Sequence, residues 1–189
     1  MAATRHILMI SGSLRVGSSN EAALRTAAQV APDGITSRLF DGLGNLPHFN
    51  PDDDHEPLHP AVVELRAAIG AADAVLLCTP EYAGALPGSF KNLLDWTIGG
   101  GALYGKPVGW INISATTGAP HAHASLRTVL GYAGADMVEA ACVHIPVPRD
   151  IIDANGIVAD PARRAEIAGV LTALANHVAS RDNAEPARG

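Results

Sequence analysis

The sequence predicts a three-layer α/β sandwich, in which a five-stranded parallel sheet carries helices on both faces. Three observations predict it. Short apolar runs alternate along the chain with longer stretches of helical composition, and such alternation gives parallel strands joined by right-handed helical crossovers. The run Ala74–Thr79 is apolar at nearly every position, as a strand buried on both faces requires. Hydrophobic residues make up 48% of the 189 and aromatics only 4%, so the core is aliphatic. Six of the eight aromatic side chains (Phe49, Tyr82, Phe90, Trp96, Tyr104, Trp110) fall between positions 49 and 110.

The elements follow in order. His6–Ser11 is a strand that stops at Gly12. Glu21–Ala31 is Ala-rich with helical spacing, and Asn20 or Ser19 is its expected cap. Thr36–Phe40 is a second strand, and Gly42–Pro60, rich in Pro, Gly, Asn and Asp, is a long loop. Val62, Leu65 and Ile69 fall on one face of a helix over Ala61–Ala71. After the strand Ala74–Thr79 come a loop, Pro80–Pro87, and a helix, Ser89–Ile98. Val108–Ser114 is the fourth strand, Ala115–Pro120 a loop, and His121–Tyr132 a helix. Met137–Ile145 is the fifth strand. Pro161–Val178 is the last helix, with Asp160 as cap and Pro161 in its first turn. One domain is expected over 1–181, with 182–189 a disordered tail.

Composition excludes several classes. A chain of this size buries enough surface to need no disulfide or metal staple. Charged residues are 17%, too few for a disordered chain this aliphatic. The net charge of −6 argues against a nucleic-acid partner, which requires a basic face. Cys78 lies inside an apolar run and reads as a small buried hydrophobe. The only apolar stretch near the N-terminus, Ile7–Ile10, is too short for a signal sequence, and no run approaches a membrane span, so a cytoplasmic protein is expected.

The informative loop is Gly12-Ser13-Leu14-Arg15-Val16-Gly17-Ser18-Ser19-Asn20. It leaves a strand and opens a helix, where backbone N–H groups and the helix dipole favour an anion. It is not a dinucleotide fingerprint, because Leu14 stands at the second glycine. It is not a Walker A loop, because Ser18 stands at the lysine. Hydroxyls from Ser13, Ser18 and Ser19, the Asn20 amide and the Arg15 guanidinium suit a single terminal phosphate. The alternative is a small-residue turn that merely joins strand to helix, but such a turn has no need of Arg15.

Two further loops are dense in polar and shaping residues. Thr79-Pro80-Glu81-Tyr82-Ala83-Gly84 runs on to Lys91-Asn92, with Tyr82 placed to flank a flat ring. Ser114-Ala115-Thr116-Thr117-Gly118 supplies hydroxyls and amides. For Trp96 and Phe90, plain helix packing is the expected role. These loops follow strands 1, 3 and 4, and they converge only where those strands are neighbours, in the order 2-1-3-4-5 of flavodoxin-like folds.

These residues resemble the NAD(P)H-dependent FMN reductases of flavodoxin-like fold, the chromate and quinone reductases among them. The match lies in Gly12-Ser13-Leu14-Arg15-x-Gly17-Ser18-x-Asn20, Leu46-Pro47-His48-Phe49-Asn50-Pro51-Asp52, Ala72-Asp73-Ala74-Val75, Thr79-Pro80-Glu81-Tyr82 through Lys91-Asn92-x-x-Asp95-Trp96, and Gly105-Lys106-Pro107-Val108. The resemblance implies FMN as cofactor, with its phosphate held by Ser13, Arg15, Ser18, Ser19 and Asn20. It places Pro80, Glu81, Tyr82, Ala83 and Gly84 along the ribityl chain and ring, and Ser114, Thr116 and Gly118 near the ring's pyrimidine end. The family usually has Asn where this chain has Ala83, and a Gly-Gly pair where it has His121-Ala122-His123.

The implied activity is hydride transfer from NADPH or NADH to the flavin, then on to a quinone, nitro or azo compound, metal oxyanion or free flavin by ping-pong turnover. The flavin carries the chemistry and no side chain is needed as nucleophile or base. The alternatives are a flavodoxin-like FMN electron carrier without a nicotinamide step, and a non-redox module binding a phospho-ligand. No metal site is expected: His121 and His123 at i, i+2 do not face each other on a helix, and Asp52-Asp53-Asp54-His55 reads as a solvated acidic run. The resemblance also implies a homodimer or homotetramer. Phe49, in a loop, is a candidate contact or pocket lid.

Overall fold

A computed structural model describes residues 4–184. Strands β1 (Arg5–Ser11), β2 (Ile35–Phe40), β3 (Ala74–Cys78), β4 (Pro107–Asn112) and β5 (Asp136–His144) form one parallel sheet in the order β2-β1-β3-β4-β5. Helices α1 (Ser19–Gln29), α2 (Pro60–Ala71), α3 (Gly88–Trp96), α4 (Pro120–Tyr132) and α5 (Pro161–Ala184) alternate with the strands. This is the predicted order, and it sets the loops after β1, β3 and β4 side by side at the carboxyl edge of the sheet.

The alternation of side chains along each strand divides the interior into two cores. Leu8, Ile10, Val75, Leu77, Val108 and Trp110 meet α2, α3 and α4 on one face. Ile7, Met9, Ala74, Leu76, Cys78 and Ile111 meet α1 and α5 on the other. A buried Leu or Ile side chain contributes about 1.5–3 kcal/mol, so two aliphatic faces suffice without many aromatics. Trp96 and Phe90 are fully buried against this core, as helix-packing residues.

Of the boundaries that differ from expectation, four have a clear local reason. Ser18, rather than Ser19 or Asn20, caps α1, its Oγ accepting from Glu21 N at 3.1 Å, because Asn20 turns inward and accepts from the Cys78 thiol. Strand β4 ends at Asn112, whose amide donates to Gly118 O at 2.6 Å and whose Oδ1 accepts from Ser114 N at 3.0 Å, closing a loop. Helix α3 stops at Trp96, where the Thr97 hydroxyl donates to Leu94 O. Helix α5 runs six residues past Val178, through Asp182–Ala184 of the expected tail, while 185–189 lie outside the described residues. Its last turns carry no apolar stripe. They are held by Arg181 on Asp136 Oδ2 (2.9 Å) and Gly105 O (2.7 Å), and by Asp182 on Arg5 (2.6 Å). Asp160 accepts from Arg163 N at 2.9 Å, the expected cap at the other end.

Strand β5 holds an irregularity. Val108 pairs with Met137, but Trp110 pairs with Cys142, so β5 bulges between them. Gly109 makes room for the bulge: a Cβ there would lie 2.6 Å from Ala141 Cβ and 2.8 Å from its carbonyl oxygen.

The long loop before α2 is not free. Asn92 accepts from Phe49 N (2.7 Å) and donates to Pro47 O (2.8 Å), and the Trp96 indole donates to the same carbonyl (2.8 Å). Phe49 stands edge-on to Trp96 with centroids 4.9 Å apart. It packs its edge on the end of α3 while staying half-exposed. Asp54 is not solvated: it accepts from Arg66 Nη2 at 2.7 Å, and both side chains are nearly buried.

Candidate functional site

The first loop is shaped by its own hydroxyls. Ser11 Oγ accepts from Ser13 N and Ser13 Oγ accepts from Arg15 N, each at 3.2 Å, and Ser18 caps α1. A serine that accepts a backbone N–H keeps its own proton free to donate. Ser13 and Ser18 can thus bind an anion without giving up their structural bonds. Gly17 takes a left-handed φ of 65°, turning the chain into the helix. Gly12 lets β1 approach the next loop closely, since a Cβ there would fall 2.3 Å from Thr79 Oγ1. Arg15 is exposed and makes no ion pair among the described residues.

The second loop contains a tight hairpin. Tyr82 and Ala85 exchange both backbone hydrogen bonds at 3.0 Å, and the two residues between them, Ala83 and Gly84, have φ of 51° and 70°. This is a turn that favours Asn-Gly, so Ala83 occupies a strained position. Tyr82 is 52% exposed beside the cleft. Glu81 turns the other way, and its Oε2 accepts from Ala122 N at 2.8 Å in the first turn of α4.

The third loop is tied at both ends. Asn112 holds Gly118 and Ser114, the His144 ring donates to Ser114 O at 2.7 Å, and Thr117 Oγ1 lies 3.3 Å from Ser114 Oγ. His123 donates from Nδ1 to Ala119 O at 2.9 Å, leaving Nε2 buried without a partner among the described residues. Burial pushes the His123 imidazole below its ordinary pKa. The Ala119 bond and the charge of Glu81 oppose this, and His144 adds to it. Burial raises both thiols, Cys78 strongly and Cys142 to about 11, so neither is a ready thiolate.

Between the three loops lies a cleft of about 290 Å³. Of the expected site residues, Ser19, Asn20, Pro80, Glu81, Ser114 and Thr116 line it. Ser13, Arg15, Tyr82, Ala83, Gly84 and Gly118 belong to the same loops but not to its walls, and Ser18 borders a neighbouring depression with Arg25 and Asn155. Thr79, Ala115, Thr117 and Ala119 of the expected loops also line it, as do Ile113 and Val147, which were not anticipated. Val147 follows β5, whose carboxyl end shares this edge of the sheet, and that placement is the signal that could have found it.

The NADPH-dependent FMN reductase family model matches residues 5–148, which span all five strands and all three loops. The chain belongs to the NADPH-dependent FMN reductase family. This reductase is 36% identical over 171 residues to an NAD(P)H-dependent FMN reductase of Pseudomonas aeruginosa, covering 89% of this chain and 92% of that one. It is 33% identical over 164 residues to a 2-hydroxy-1,4-benzoquinone reductase of a Burkholderia species, covering 84% and 88%. Among solved structures it is similar to FerB, a flavoenzyme NAD(P)H:(acceptor) oxidoreductase of Paracoccus denitrificans, with a TM-score of 0.82, 29% identity and coverage of 94% and 98%. The family's chemistry is oxidoreduction with FMN and a reduced nicotinamide, and the reductase has the flavodoxin-like sheet order that supports it.

Proposed function

We propose that this reductase passes reducing equivalents from NADPH or NADH to a small acceptor (a quinone, a nitro or azo compound, a metal oxyanion or free flavin) by ping-pong turnover. The observation that carries the reading is the convergence of the three loops on one cleft at the carboxyl edge of the sheet. The family match and the quinone reductase among the relatives support it. The reading takes 1–181 as one cytoplasmic domain that assembles as a homodimer or homotetramer. No described helix is long and apolar enough to cross a membrane.

The residues fit FMN. The donor set of the first loop is neutral hydroxyls and amides with one unpaired guanidinium, which matches a single terminal phosphate rather than a pyrophosphate. Ser13 and Ser18 offer free hydroxyl protons, and Arg15 adds the cation. Hydrogen bonds to a charged group contribute about 1.5–3 kcal/mol each, so a few suffice to retain the cofactor. Asn20, Pro80 and Glu81 form one wall for the ribityl chain and ring, and Ser114 and Thr116 the other. FMN held there would supply the redox chemistry that links the nicotinamide to the acceptor. The protein binds, orients and excludes water.

A flavodoxin-like carrier is the second reading, favoured only by the shared fold. The modest net charge of −6 and the reductase relatives weigh against it. Purified protein should be yellow, should oxidise NAD(P)H only with FMN bound, and should give parallel double-reciprocal plots. A colourless protein that cannot be reconstituted with FMN refutes the cofactor assignment. A yellow one that NAD(P)H fails to reduce in single-turnover mixing supports the carrier.

A further inference from the structure

We propose that Glu81 is a positioning residue of this cleft, whose carboxylate acts through the first turn of α4 rather than by contact with the cofactor. The proposal rests on the FMN reading of the cleft.

Helix α4 starts without a cap of its own. Its N-cap residue is Ala119, which has no side chain to accept a hydrogen bond and sits in the left-handed region at φ 43°. The next residue, Pro120, has no N–H. The first free donors therefore belong to His121 and Ala122, and a helix start left in this way is unstable unless another group accepts from it. Glu81 supplies that acceptor from a loop forty-one positions earlier, at 2.8 Å from Ala122 N. Its negative charge also complements the positive end of the helix dipole.

The backbone just before α4 needs such support. Gly118 and Ala119 are consecutive left-handed residues, with φ of 72° and 43°. Conformations of this kind persist only where the surroundings fix them. Asn112 holds the Gly118 carbonyl and His123 holds the Ala119 carbonyl. Glu81 ties the loop after β3 to this helix start across the cleft. It lines the cleft on the β3 side and bonds to the helix that continues from Ser114–Ala119 on the β4 side. One carboxylate thus ties the end of one wall to the end of the other. In binding sites, supporting groups of this kind are what keep the contacting groups in place.

The alternative role, direct contact of the carboxylate with the flavin, makes a different prediction. Glutamine keeps an oxygen that can accept from Ala122 N but has no charge. Alanine keeps neither. The test compares Glu81→Gln and Glu81→Ala by amide hydrogen exchange at residues 121–123 in the FMN-free protein, by FMN titration, and by visible circular dichroism of the bound flavin. Glu81→Ala should speed Ala122 exchange and raise the FMN Kd by about tenfold, with a changed dichroism band. Glu81→Gln, which keeps the acceptor and loses only the contribution of the charge, should lie much closer to the native protein than Glu81→Ala in all three. Glu81→Met keeps the stem and removes the acceptor, and it should behave as alanine does if the alanine variant does not fold. Loss of FMN affinity in Glu81→Gln with Ala122 exchange still slow would overturn the proposal in favour of direct contact. Native FMN affinity in Glu81→Ala or Glu81→Met would overturn it outright. A native protein that takes up no FMN refutes the reading of the cleft itself, a failure distinct from an Ala122 amide that exchanges at the same rate in all variants.

Discussion

Asp54 and Arg66 form an ion pair at 2.7 Å in which the two side chains are only 11% and 16% exposed, and the same guanidinium donates from Nε to Trp96 O at 2.9 Å. The pair fastens the long loop before α2 to the end of α3. Removing one partner of a buried pair leaves the other charge uncompensated. Asp54→Ala should therefore destabilise the fold by about 3 kcal/mol, measured by urea denaturation. In a double-mutant cycle, Asp54→Ala with Arg66→Leu should cost less than the sum of the single changes. Additive losses would show that the pair contributes nothing as a pair.

Ala83 is strained by its φ of 51°, a conformation that costs a residue with a Cβ about 1–2 kcal/mol and that Asn tolerates better. Ala83→Asn should stabilise the protein by about 0.5–1 kcal/mol, raising Tm by about 1–4 °C. Ala83→Gly should act in the same direction. A calorimetric scan checks both, and a lowered Tm would contradict the turn assignment.

Arg15 and Ser13 carry the phosphate assignment. Arg15→Ala should weaken FMN binding by about tenfold or more, read by quenching of flavin fluorescence. Folding stability should hardly change, because Arg15 is exposed. Ser13→Ala loses both a ligand donor and the turn bond to Arg15 N, so affinity and stability should fall together. Riboflavin, lacking the phosphate, should bind Arg15→Ala as well as it binds the native protein.

His123 predicts a pH dependence. Its folded pKa lies below the ordinary 6.5, mainly through burial. As pH falls through the unfolded value, the unfolded chain takes up a proton that the folded chain refuses. Stability from this residue is thus fully present above that pH and declines below it. His123→Phe should reduce the loss of stability between pH 7.5 and 5.5, measured as urea midpoints at both pH values. An unchanged loss would assign the acid sensitivity to other groups.

The sheet order was legible because it follows from which loops carry polar and glycine residues, a pattern written directly along the chain. The buried status of β3 was legible for the same kind of reason, since every one of its residues is apolar. What escaped the sequence depends on contacts between distant positions. Nothing near Asp54 shows that Arg66 lies under it, and nothing near Phe49 shows that Asn92 and Trp96 hold its loop. The last turns of α5 rest on Arg181 reaching Asp136 and Gly105, polar contacts that leave no periodic trace. In the site, the first loop was readable as an anion cradle from residue types alone. The role of Glu81 was not, because its acceptor function is defined by a helix start whose own cap position holds an alanine.

The bulge between β4 and β5 bears on how copies of this chain can meet. A parallel sheet presents two unpaired edges, and an unbroken edge invites a strand from another molecule. Here β5 is nine residues long, yet it departs from regular pairing between Met137 and Cys142, and Glu139 projects there in a bidentate grip on Arg127. Such a kinked and charged margin offers an incoming strand no continuous row of amides and carbonyls to zip onto. Regular pairing of a second copy along the full length of β5 would be interrupted at this break.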